Sequence, residues 1–245
     1  MKGDVDMKKI AKIFVVVALA SFSASLAHSQ EVYTSNVVIL LDASGSMDRT
    51  MRDARGKNVR RIDAAKSGIY EVLKQVPDTT NVGILALIAK DSTDYDKSRI
   101  WVYPLGKKDD AKLRKALELV EPYGNTPLGT FAKIGADRLI QERVKQHNSG
   151  SFKLLIATDG EANEEPSDRV DKYILDIISK GIRVDVIGVA MKSKHTLATN
   201  AHSYRRADDP ASLTKAIKEV VLAEISPKVN PELAKELNDD VAGFP

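Results

Sequence analysis

Apolar residues in this chain recur with two alternating periods, one suited to buried strands and one suited to helices. The segment Asn36 to Leu41 is apolar from its second residue on, Val37-Val38-Ile39-Leu40-Leu41, which predicts a central strand buried on both faces. Ile62, Ala65, Ile69, Val72, Leu73 and Val76 then follow at helical spacing and form a single stripe. Val82 to Ala89 reads as a second buried strand, and Arg99 to Leu105, with Trp101 and Tyr103, as a third. Only Lys90 to Ser98 separates those two, too short for a helical crossover, so they are expected to pair antiparallel with the third at the sheet edge. Helices are expected near Asp109 to Val120 and from Pro127 to about Val144, then a strand from Phe152 to Thr158. Val170, Ile174, Ile177 and Ile178 mark another helix, Ile182 to Val189 a buried strand, and Ser203 to Arg205 a short one. Leu213, Ile217, Val220 and Val221 define a last helix. This alternation predicts the α/β class: a doubly wound, mostly parallel sheet with one antiparallel edge strand and helices on both faces. Pro227 and Pro231 mark the exit from the domain, and Glu232 to Asn238 suit one short helix.

A chain of 245 residues, 43% apolar and 29% charged, is enough for one substantial core with short flanks. The formal net charge is only +3, and Lys2, Lys8, Lys9 and Lys12 outweigh Asp4 and Asp6 at the N-terminus. Little excess charge remains elsewhere, so no basic face for nucleic acid is expected. Residues 1–29 read as a secretory signal. Lys8, Lys9 and Lys12 precede an apolar stretch opening at Ile13 to Leu19, and Ala27-His28-Ser29 offers the small residues of a cleavage site. Cleavage after Ser29 leaves Gln30 as the mature start; retention as an anchor is the alternative. Residues 30–35 are a short lead, 36–225 the domain and 226–245 a tail. The chain has no cysteine, which excludes disulfides, a thiol nucleophile, zinc–thiolate sites and a lipid-modified cysteine. No later segment has the apolar run of a membrane span. The expected location is a periplasm or outside the cell.

The chemistry gathers at element ends. Asp42-Ala43-Ser44-Gly45-Ser46 follows the first strand, Gly124-Asn125-Thr126-Pro127-Leu128 precedes a helix, and Asp159-Gly160 follows the strand ending at Thr158. Asp42, Ser44, Ser46, Thr126 and Asp159 are all hard oxygen donors, the set a hard divalent cation takes. In a doubly wound sheet, ligands sit beyond the carboxyl ends of the strands, where the chain order reverses. Asp42 and Asp159 converge there if their strands are neighbours.

The pattern resembles the metal-ion-dependent adhesion site of von Willebrand factor A domains, a Rossmann-like fold, with all five positions filled by the expected residue types. The resemblance covers roughly Ser35 to Ala223. It implies a divalent cation, Mg²⁺ with Mn²⁺ or Ca²⁺ as alternatives, with Ser44, Ser46 and Thr126 as direct ligands. Asp42 and Asp159 would hold coordinated waters. It also implies that a Glu or Asp of a partner protein completes the coordination, and that the segment Asp209 to Glu224 moves when the site is occupied. One departure is the basic run Arg49 to Arg61, expected as a long loop on the rim of the site. Arg49, Arg52, Arg55 and Arg60 there are candidates to steer an acidic partner, with Glu161 a further rim candidate. A solvated flexible loop is the plainer reading.

Other readings of the same residues stand beside these. Thr126, just before Pro127, suits a simple helix N-cap. Asp94, Asp96 and Ser98 imitate the start of a calcium loop, but Arg99 and Leu105 occupy the positions that need Gly and Glu. No glycine-rich phosphate motif supports a nucleotide. His147, His195 and His202 show no metal-binding spacing, and Glu161, Glu164 and Glu165 are expected to be solvated. The strand leading to Asp42 resembles that of haloacid-dehalogenase-type phosphatases. Those carry a second Asp two residues on, where this chain has Ser44, so no general acid is in place. A non-catalytic binding module is therefore expected; a metal-dependent hydrolase or phosphatase using the same crevice is the alternative.

Overall fold

The computed structural model describes residues 34–160, 162–191 and 195–223. The expected signal segment, its cleavage site, Glu161 and the C-terminal tail with its short helix lie outside the described residues. The described residues form the strands β1 (Ser35–Asp42), β2 (Thr50–Arg52), β3 (Asn58–Arg60), β4 (Asn81–Leu87), β5 (Trp101–Lys107), β6 (Ser151–Thr158), β7 (Arg183–Val189) and β8 (Ser203–Ala207). The α-helices are α1 (Arg61–Leu73), α2 (Asp110–Glu118), α3 (Leu128–Lys145), α4 (Ser167–Ser179) and α5 (Pro210–Leu222).

Six strands form one sheet in the order β5-β4-β1-β6-β7-β8. All neighbours are parallel except β4 and β5, so the antiparallel partner lies at the edge. From β1 the chain builds outward through β4 to β5, then returns to the other side of β1 with β6. The order therefore reverses between β1 and β6.

The unbroken apolar run of β1 is explained by what covers it. Val37, Ile39 and Leu41 face a core with Ile62, Ile69 and Val72 of α1, Leu113 of α2 and Leu213 and Ile217 of α5. Val38 and Leu40 face the opposite core, with Phe131, Ala132 and Leu139 of α3 and Ile174 and Ile177 of α4. A strand covered on both sides has no polar face to show. Gly135 lets α3 lie close over it: a Cβ there would stand 3.0 Å from Leu154 Cδ1 and 3.3 Å from Val38 Cγ1.

Some expectations are corrected. The Arg49 to Arg61 segment is not a long loop but an antiparallel hairpin, with Met51 opposite Val59, that runs directly into α1. Its turn is closed by Asp53, whose Oδ1 accepts from the backbone N–H groups of Arg55 (2.9 Å) and Lys57 (2.8 Å). The two strands are too short and too polar to reveal a period of two; Met51 is the buried anchor. The edge strand is displaced from Arg99–Leu105 to Trp101–Lys107. Residues Asp96 to Arg99 are spent on a turn in which the Asp96 carboxylate accepts from Ser98 N, and the pairing runs on to Asn81 opposite Lys107. Thr126 does not cap α3 through its side chain. The helix instead begins after Pro127, and its N-terminal N–H groups are satisfied from elsewhere in the chain.

Candidate metal centre

Because β1 and β6 are paired neighbours, their carboxyl ends deliver Asp42, Thr158 and Asp159 to one crevice. Asp42 is fully buried. Its Oδ1 accepts from the backbone N–H of Ser44 at 2.8 Å and its Oδ2 from the Thr158 hydroxyl at 2.6 Å, which fixes the carboxylate plane. The chain then turns through a 3-10 segment, Gly45–Asp48, that aims both serines at the crevice. Ser44 Oγ and Ser46 Oγ stand 3.1 Å apart, and the Ser46 hydroxyl donates to Asp159 Oδ1 at 2.6 Å. Four of the five expected residues are thus joined in one hydrogen-bonded cluster.

The fifth, Thr126, lies buried in a loop stitched to the same turn. Tyr123 N–H donates to Ala43 O (2.7 Å), Gly45 N–H to Gly124 O (3.0 Å) and Asn125 N–H to Ala89 O (2.8 Å). Gly124 holds φ at +77°, and a Cβ there would stand 1.9 Å from the Ala89 carbonyl oxygen, so only glycine permits this approach. The loop after β6 ties on from the other side. Asn163 Oδ1 accepts from Thr126 N–H at 2.8 Å, and the Glu165 carboxylate accepts from Gly129 N–H at 2.6 Å and Thr130 N–H at 3.0 Å, and from the Thr130 hydroxyl. Glu165 is therefore buried as the N-terminal cap of α3 rather than solvated, a favourable place for a negative charge.

Electrostatically the crevice carries too little positive charge for its carboxylates. Burial pushes the Asp42 carboxyl up to about 6; the Thr158 hydrogen bond pulls it down, and the neighbouring Asp159 charge raises it. Among the described residues Asp42 has no ion pair, while Asp159, its side chain wholly buried, pairs with Arg61 at 2.6 Å. Two buried carboxylates beside neutral hydroxyls, with one of the pair lacking a counter-charge, fit a divalent ion bound through oxygen. Among the described residues no group of three His, Cys, Asp or Glu side chains converges. The donor set is accordingly hydroxyl-rich.

The rim candidates divide. Arg49, Arg52 and Arg55 are exposed on the hairpin. Arg60 is committed to Asp48 (3.2 Å), Asp63 (2.8 Å) and Glu121 (3.0 Å). Sequence reasoning assigned no site role to Thr158, Asn163 or Arg61, expected Glu165 to be solvated and set aside His195. The last is almost fully buried: its Nδ1 accepts from Leu197 N–H at 3.0 Å, which leaves the proton on Nε2 to donate to Gly160 O at 3.0 Å. Thr158 stood beside Asp159 in the motif and Arg61 within the basic run, but neither shows its partner from local spacing.

The fold and this cluster together define a von Willebrand factor A-type domain. The model of the von Willebrand factor type A domain family matches residues 36–219, and the chain belongs to that family. No curated protein matches the chain. Among solved structures it is similar to the von Willebrand factor type A protein from Catenulispora acidiphila, at 21% identity and TM-score 0.59 over 76% of this chain and 42% of that one. It is also similar to the pilus adhesin SpaC from Lactobacillus rhamnosus GG, at 14% identity and TM-score 0.60, over 78% of this chain and 30% of the adhesin. A third is proximal thread matrix protein 1 from the mussel byssus, with its metal-ion-dependent adhesion motif occupied by zinc, at 19% identity and TM-score 0.50 over 78% and 45%. The chain spans less than half the length of each, and at these identities the likeness speaks for the fold. Among the described residues, no helix is long and apolar enough to cross a membrane.

Proposed function

We propose that this domain is an exported, non-catalytic module that binds a divalent cation through Ser44, Ser46, Thr126, Asp42 and Asp159, and through it an acidic side chain of a partner protein. The observation that carries the reading is the hydrogen-bonded cluster of Asp42, Ser44, Ser46 and Asp159, drawn from two distant segments. The zinc-occupied motif of the byssus protein and the adhesin role of the pilus protein support the same direction. Mg²⁺ is the ion proposed, with Mn²⁺ or Ca²⁺ as alternatives.

Ser44, Ser46 and Thr126 contribute neutral oxygens, while Asp42 and Asp159, held by Thr158 and Ser46, orient whatever waters complete the sphere. A bound cation with so few anionic ligands supplies an electrophilic position that a carboxylate can fill. A groove of about 720 Å³, lined by Tyr95, Leu119 and Tyr123 together with the charged Asp94, Asp96, Arg99 and Glu121, adjoins the Thr126 loop through Ala89, whose carbonyl accepts from Asn125 N–H. Export is proposed from the N-terminal signal pattern, with cleavage after Ser29 and a periplasmic or extracellular location.

The test is a pull-down from the native envelope fraction with Mg²⁺, with EDTA and with Asp42→Ala. A partner retained only with Mg²⁺ and intact Asp42 is the expected result. A partner indifferent to both would place the interface elsewhere. Turnover of phosphate or acyl esters lost with Asp42→Ala would replace the binding reading by the hydrolytic one.

A further inference from the structure

Arg61 is the one cation that reaches the buried carboxylates of the site among the described residues, and its placement is costly. It is the first residue of α1, whose N-terminal end carries the positive pole of the helix and favours anions rather than guanidinium groups. Its side chain is only 14% exposed. Among the described residues its Nε is buried with no hydrogen-bond partner. The return for both penalties among the described residues is the 2.6 Å ion pair from Nη1 to Asp159 Oδ2. Residues held only for helix stability do not sit this way. With Ser46 donating to Oδ1 and Arg61 to Oδ2, both oxygens of Asp159 are engaged.

We propose that Arg61 is a built-in competitor for the divalent cation: by pairing with Asp159 it weakens ion affinity and so sets the ion concentration at which the site loads. This rests on the metal-binding reading above. An ion entering between Ser46 and Asp159 must share the carboxylate with a guanidinium or displace it. Either way, like charges are brought together in a poorly solvated crevice. Arg60, the preceding residue, cannot take over, because its guanidinium is spread over Asp48, Asp63 and Glu121. The hairpin of β2 and β3 delivers Arg61 to this position through its backbone N–H to Arg49 O, at 2.8 Å.

The experiment is a Mn²⁺ titration, by calorimetry and by the loss of free-ion paramagnetic resonance signal, of the full chain and of Arg61→Gln and Arg61→Lys. Arg61→Gln removes the charge and leaves a shorter side chain that still hydrogen-bonds, and should bind Mn²⁺ about tenfold or more tightly than the parent. Arg61→Lys keeps the charge and should stay within about threefold of the parent. In the unaltered protein, Mg²⁺ should shift the Arg61 side-chain nitrogen resonances in step with occupancy, a readout independent of how the variants fold. Equal or weaker binding by Arg61→Gln, with parent binding intact, overturns the competitor role and leaves the metal site standing. Mn²⁺ binding that appears only in Arg61→Gln supports the competitor role in its strongest form. No binding by any of the three chains overturns both readings.

Discussion

The two ends of β1 each bury a polar side chain completely, and they treat it in opposite ways. At the start of the strand, Asn36 and Gln146 exchange reciprocal amide hydrogen bonds of 2.9 Å. Asn81 donates to Asn36 Oδ1 at 2.9 Å, and the Asn36 amide also reaches the carbonyls of Thr34 and Ser151. The buried Asn36 amide is satisfied at both its nitrogen and its oxygen within the protein, and no net charge is left. At the other end Asp42 has two donors, a neighbouring carboxylate and, among the described residues, no counter-cation. The same strand thus carries a closed polar network that holds the fold and an open one that retains charge for something else. Burial alone does not distinguish a site; incomplete neutralisation does.

The sharpest way to break this contrast is to neutralise the open end. Asp42→Asn keeps an acceptor for Ser44 N–H and, because the Thr158 hydroxyl can rotate, a partner for Thr158. Ion binding measured by calorimetry should fall about 100-fold or more, with little loss of stability. Comparable ion affinity in that variant would put the ion elsewhere.

The complementary change is Asn36→Ala at the closed end. It strands the amides of Asn81 and Gln146, and chemical denaturation should show a loss of about 2–3 kcal/mol. Ion affinity should be unchanged, which separates the two networks. A smaller effect on both properties is expected for Glu165→Ala. Loss of the α3 cap should cost about 1–2 kcal/mol and weaken ion binding a few-fold, because Thr126 hangs from the same helix end. If ion binding is untouched, the loop after β6 supports the helix but not the site.

The smallest effect is a pH dependence at the start of α5. The Asp209 carboxyl is held below the usual carboxylate range, first by the Ser212 backbone N–H of the capping box that opens α5. A depressed carboxyl adds stability above its unfolded pKa and loses it as pH falls through the folded value. Asp209→Ala should therefore cost about 0.5–1 kcal/mol near neutral pH, and thermal melts should show that gap closing in acid. A gap that persists undiminished would mean the cap works without its charge.

Much of this architecture was legible in the chain because it depends on local period. The apolar run Val37 to Leu41 of β1 announced cover on both faces, and the short Lys90–Ser98 connection announced the antiparallel edge. The five candidate residues could be singled out because each falls at an element end, where a doubly wound sheet gathers its ligands. What was not legible depends on distant partners. Glu165 reads as one more acid in a polar loop until Gly129 and Thr130 are placed beside it. Arg61 reads as one of six basic residues until the hairpin is seen to feed it into the crevice. The hairpin itself escaped because three-residue strands with one apolar position each carry no period.

The cluster also fixes when in the life of the chain it can exist. Ser46 and Asp159 are 113 positions apart, and Asp42 and Thr158 are 116 apart. No segment that ends before β6 contains both halves, and an unfolded chain keeps them far apart. A polypeptide emerging from a ribosome or threading through a pore therefore carries the five oxygens without a place to hold an ion. Under the proposed function, loading of the ion therefore waits until β6 docks beside β1.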